Sequence, residues 1–185
     1  ARLVGADLRY SICHKAVFDK ADLHHANLWN IDMRGASAKE TIFCKCWLGN
    51  SNLVDADFRG ADFSGAWITA ADLSNSLLGA STLAGVSLAR ACMKEVDLTG
   101  AFAVGADFRS TILNGAIMRA ANLSGANLRE ASLIDADLSL ADLVGADLRG
   151  AQLDGAVLNG SRHDGTTRWP ETFKPLTSGG IESHE

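Results

Sequence analysis

A five-residue beat runs from Ala1 to Gly160 without a register break. Counted in fives from Ala1, the first position is small and the third is a large apolar residue. Ala21-Asp22-Leu23, Ala61-Asp62-Phe63, Ala121-Asn122-Leu123 and Ala146-Asp147-Leu148 show it plainly. A period of five fits neither regular element. On an α-helix, successive third positions fall roughly 140° apart, so no apolar stripe forms. On a flat strand, an odd step sends them to alternate faces. Burying every one of them requires a bend in each block. The first and third positions then share the inner side of a short extended segment, and the second, fourth and fifth face solvent. The chain reads as a coil of short sides with a corner every five residues.

Composition at each position agrees. The first position is mostly Ala, with Ser11, Ser51, Ser76 and Ser81 as near equivalents, because the corner of a narrow interior accepts little more. The second is mostly Asp or Asn (Asp7, Asp22, Asp57, Asp107, Asn127, Asp147), residues that bond nearby backbone N–H groups in turns. The fifth is often Gly, as at Gly5, Gly60, Gly100 and Gly150, which suits a tight bend. These carboxylates are therefore read as structural rather than catalytic.

The blocks resemble the pentapeptide repeat family, whose pattern is A(D/N)LXX, and the resemblance covers residues 1–160. It implies a right-handed quadrilateral β-helix with four blocks to a coil and about 8 coils, roughly 38 Å long at the spacing of stacked strands. The residues support a coil of twenty independently. Ala38 is the smallest third-position residue in its neighbourhood, and the residues twenty before and after it are Phe18 and Phe58. Phe43 and Phe63 also fall one coil apart. Ala103, between Leu83 and Leu123, lacks such compensation, which predicts local slack or a rotated side near Phe102.

Residues 161–185 leave the beat and are read as a C-terminal cap with a partly disordered tail after Ser178. Trp169, Phe173 and Leu176 are the expected lid over the last coil, with Pro170 opening a single helical turn and Pro175 ending it. The ending is similar to the T-R-aromatic-P-x-x-F-x-P tail of many cyanobacterial pentapeptide proteins. The first blocks from Ala1 show no comparable lid. The first coil is expected to be capped by preceding residues or by a second copy in an end-to-end homodimer.

A net charge of −5 carries no basic footprint for nucleic acid, and no apolar run is long enough to span a membrane. The four cysteines form no stacked inward pair, so free thiols and a cytoplasmic setting are expected. His24 and Cys44 are one coil apart at the fourth position, the smallest requirement for an activated thiol, but no third group or pocket accompanies them. Cys44 and Cys46 lack zinc-ligand spacing. The expectation is a chain with no enzyme activity, no cofactor and no metal.

By subtraction, two outward groups remain. Trp47 and Trp67 share the second position one coil apart, with Trp29 nearby at the fourth; they are either a partner site, or a shield laid flat on the sheet, or two rings packed locally on each other. Arg109, Arg129 and Arg149 stack beside Asp107, Asn127 and Asp147, either as a strip recognising anions or as alternating charge that solvates the rod. These six residues are the candidate protein-binding site of an interaction scaffold. The family's quinolone-resistance members imply the alternative, a DNA mimic that binds DNA gyrase. That role calls for dense negative charge, whereas the repeat carries 18 acidic and 14 basic residues.

Overall fold

Each block closes through one turn. The Ala6 N–H donates to the Leu3 carbonyl at 3.0 Å, and the same bond recurs from Ala21 to Phe18 and from Ala126 to Leu123. The turn demands a left-handed residue at its corner, and every fifth residue from Gly5 to Gly160 has φ between +52° and +72°. Where that residue is Ala80 or Leu140, the conformation costs about 1–2 kcal/mol that glycine avoids.

Between coils the pairing is parallel at a spacing of twenty residues. Arg2 bridges to Asp22, Asp22 to Ile42, and the ladder continues on all four sides. Three donors per block serve it. The Leu3 N–H reaches the Asp22 carbonyl at 2.7 Å, Gly5 reaches His24 at 2.8 Å, and Asp22 reaches back to Ala1 at 2.9 Å. With the turn bond, this occupies the N–H groups of positions one, two, three and five. Only the fourth-position N–H lacks a backbone acceptor, and a buried or half-buried amide needs one. The second-position side chain supplies it: Asp57 Oδ1 accepts from the Arg59 N–H at 3.2 Å, and Asp62, Asp72, Asn122 and Asp137 do the same for the residues two further on. Asp and Asn recur because the backbone leaves that one donor unserved.

The computed structural model describes residues 1–174 as this right-handed quadrilateral β-helix. First and third positions fill the interior. The rings of Phe43 and Phe63 stack one coil apart at 4.7 Å and 4°, and Phe58 meets both edge-on at 5.8 and 5.3 Å. Side chains of Thr41 and Thr111 occupy first positions and stay satisfied by donating to the Phe18 and Leu88 carbonyls. Ala103 is buried, and Phe102 bridges to both Thr82 and Asn122, so the expected rotation of a side near Phe102 does not occur. Backbone pairing holds that side in place with only the small Ala103 inside it.

The ladder also continues beyond Gly160. Arg162 bridges to Asp142 at the usual spacing, and Arg168 bridges to Asp147 at a spacing of twenty-one, so the last turn holds one extra residue. Thr167 closes that wider turn with its N–H on the Asp164 carbonyl and its hydroxyl on the Leu143 carbonyl. Trp169 and Phe173, 5.1 Å apart, pack against the end of the core. Pro170 opens a single turn, closed by the Phe173 N–H on the Pro170 carbonyl at 3.0 Å. Leu176, Pro175 and the tail after Ser178 lie outside the described residues. At the other end, Leu3, Leu8, Cys13 and Phe18 are only partly buried.

Candidate functional site

The second block of every coil forms one side of the rod, and all six candidate residues lie on it. Its second-position column reads Asp7, Asn27, Trp47, Trp67, Ser87, Asp107, Asn127, Asp147. Its fourth-position column runs from Arg9 through Trp29, Gly49, Thr69, Ala89, Arg109 and Arg129 to Arg149.

The three indoles separate into a pair and a single ring. Trp47 and Trp67 lie 5.6 Å apart with their planes at 52°, and remain 53% and 48% exposed. Trp29 is 37% exposed and rests over Gly49, where no side chain obstructs it. The pair leaves a large apolar surface in water, which a purely shielding role would have covered.

The arginine column also divides. Arg109 folds back on Asp107 with two bonds, Nε to Oδ1 at 2.8 Å and Nη2 to Oδ2 at 2.7 Å. Arg149 does the same on Asp147 at 2.9 and 2.6 Å. These forked bonds hold both carboxyls below the usual carboxylate range. Arg129 faces Asn127, an uncharged partner whose oxygen accepts only the Arg129 backbone N–H. Among the described residues Arg129 makes no ion pair, and neither does Arg90 at the corner one coil before Arg109 and Ser110.

Between Trp29 and these arginines the side chains shrink, and an open groove of about 760 Å³ runs along the corner. Trp29, Asn50, Thr69, Ala70, Ala89, Arg90, Arg109 and Arg129 line it. Glu130 stands at its far end, where its carboxylate accepts the Ser110 hydroxyl at 3.2 Å. Arg90 is not legible in the sequence as part of this side, because a fifth-position residue stands at the corner between two sides. The run of small residues at Gly49, Thr69, Ala70 and Ala89 was the signal that a groove separates the two groups.

The His24 and Cys44 pair gains nothing as a nucleophile. His24 Nδ1 is 3.0 Å from Asp22, and burial pushes the Cys44 thiol up to about 12, the opposite of activation. All four cysteines are free, and no group of three potential metal ligands occurs among the described residues.

Together the ladder, the unbroken register and a surface organised in columns define a solenoid repeat protein. The chain belongs to the pentapeptide repeat family, whose model, described as pentapeptide repeats, matches in 8 copies over residues 1–37, 43–75, 91–129 and 121–160. Its fold is similar to that of HetL, a pentapeptide repeat protein involved in heterocyst differentiation regulation in the cyanobacterium Nostoc sp. strain PCC 7120. The two share 31% identity over 86% of this chain and 73% of HetL, with a TM-score of 0.64. Rfr23 from the cyanobacterium Cyanothece 51142 is 38% identical over 56% of this chain and 63% of its own, with a TM-score of 0.32. QnrB1, a plasmid-mediated fluoroquinolone resistance protein, is 16% identical over 83% of this chain and 92% of its own, with a TM-score of 0.45. No curated protein matches the chain.

Proposed function

We propose that this pentapeptide repeat protein is a non-catalytic interaction scaffold that binds a protein partner through the side bearing Trp47 and Trp67. The observation that carries this reading is the indole pair, two adjacent rings each about half exposed and in contact on one side of the rod; other exposed apolar residues, such as Ile12, Val17 and Leu140, are not tryptophans. Exposed tryptophans clustered on a rigid surface are the residues that dominate binding energy in protein interfaces. Backbone bonds from four of every five N–H groups hold the frame beneath these rings, which lowers the ordering cost of binding. HetL, the relative sharing 31% identity, works in regulation, which accords with a binding role.

The DNA-mimic alternative needs an array of free carboxylates. Asp57, Asp107 and Asp147 are instead each held by a guanidinium two residues further on. A supercoiling assay with DNA gyrase separates the readings, and inhibition by the chain would place the alternative first.

Affinity capture from native extract tests the proposal directly. The variant Trp47→Ser with Trp67→Ser is expected to keep the β-helix by circular dichroism and to lose the captured partner. Retention of the same partner in the same amount by this variant would overturn the proposal.

A further inference from the structure

The groove beside the indole pair has an ordered chemistry along its length, and that order constrains its occupant. Trp29 closes one end with an indole face. Asn50, Thr69, Ala70 and Ala89 make a small, neutral middle, and Arg90 and Arg129 bring guanidinium groups at the other end. Arg109 also lines the wall, but Asp107 already neutralises it through two bonds. That leaves two cations without a carboxylate partner and one opposing carboxylate, Glu130. From the Trp29 row to the Arg129 row is five coil spacings, about 24 Å. A compact anion would touch only one or two rows of such a site.

We propose that this groove seats an extended acidic segment of a protein partner, with an apolar side chain on Trp29 and carboxylates on Arg90 and Arg129. The inference rests on the reading that this side of the rod binds protein, and it names the partner's chemistry. An extended chain of about seven residues spans the same 24 Å. Arg90 and Arg129 lie two coils apart, about 10 Å, which suits acidic residues two or three positions apart in the segment. Guanidinium groups bind carboxylates through paired, charge-assisted bonds, and these two have that capacity free. Thr69 and Asn50 offer side-chain donors and acceptors to the segment's backbone between the two ends.

The probe is a fluorescein-labelled seven-residue peptide with leucine near one end and three glutamates near the other. Its control is the same peptide with lysines in place of the glutamates. Anisotropy titrations with the full chain are expected to show binding of the glutamate peptide and at least about tenfold weaker binding of the lysine peptide. Arg90→Glu with Arg129→Glu should weaken the glutamate peptide by about tenfold or more, because like charges then face each other. Glu130→Gln should tighten it, and Lys94→Glu, on another side of the rod, should leave it unchanged.

Equal affinity for the two peptides, no binding of either, or binding indifferent to the double charge reversal would each overturn the proposal. So would a short DNA duplex that competes the peptide away and depends on the same two arginines. Extract capture separates this failure from that of the broader reading. A partner lost with the Trp47 and Trp67 variant but kept by the Arg90 and Arg129 variant would leave the binding side standing and remove the groove.

Discussion

The indole of Trp29 fills the space that a β-carbon on Gly49 would take: its Cε3 and Cη2 atoms stand 2.7 and 3.1 Å from that position. Gly49 lies at a fourth position with φ outside the left-handed region, so its missing side chain serves the neighbouring ring and no turn. Gly49→Ala is expected to displace Trp29 toward the solvent and to lower stability by about 1–3 kcal/mol. With Trp47, Trp67 and Trp169 replaced by Phe, the emission of Trp29 should shift to the red. An unshifted spectrum would mean the ring accommodates the methyl group where it lies.

The stack of Phe43 on Phe63, with Phe58 at the edge of both, is the densest aromatic contact of the interior. Phe63→Ala should cost about 3–5 kcal/mol, since a fully buried ring leaves a cavity that the ladder prevents from collapsing. Guanidinium-induced unfolding measures it. A loss below about 1 kcal/mol would show that the neighbouring coils repack.

Acid should weaken the rod in a defined window. The forked bonds from Arg9, Arg109 and Arg149 hold the carboxyls of Asp7, Asp107 and Asp147 low, with Asp7 lowered to about 2. Their unfolded pKa is about 3.9, so the stability they contribute is present above that value and is lost as the pH falls through it toward 2. Melting temperature should therefore drop below about pH 4, and Asp107→Asn with Asp147→Asn should make that drop shallower. These pairs are exposed enough that each contributes modestly. An acid limb unchanged in the double variant would assign the loss to other carboxylates.

Cys44 should behave as an inert thiol. Burial pushes it up to about 12, so its thiolate is scarce at neutral pH. Alkylation by iodoacetamide, mapped to Cys44 by mass spectrometry, should be slow at pH 7 and should still be rising at pH 9. Rapid modification at pH 7 would contradict the burial of this thiol.

Almost all of the backbone was legible in the residues, because each block solves the same local problem. The small first position, the large third, the acceptor at Asp57 or Asn122 and the corner at Gly60 repeat until only a bent coil accommodates them. The exposed side was legible only as columns. A repeat specifies where a fourth-position side chain starts and not where it leans. Nothing in the pattern separates Arg109, folded onto Asp107, from Arg129, whose neighbour Asn127 leaves it unpaired; the one-atom-scale difference between Asp and Asn decides it. The same holds for Trp29, whose resting place depends on a glycine twenty residues away. The extra residue before Arg168 has no signature in the five-residue pattern, because the turn that it widens lies past the repeat and preserves the pairing on both sides.

The spacing of twenty between paired residues makes position on this surface an integer coordinate. Duplicating or removing one full coil slides every later side chain by one strand along its own side, without turning it. Adding a single block of five instead carries all later side chains around to the next side by a quarter turn. A lineage of such chains can thus lengthen the distance between Trp29 and Arg129, or move the guanidinium groups off that side altogether, by copying events that leave every interior contact type intact. Point substitutions tune what each column presents; the copy number of blocks sets which columns meet.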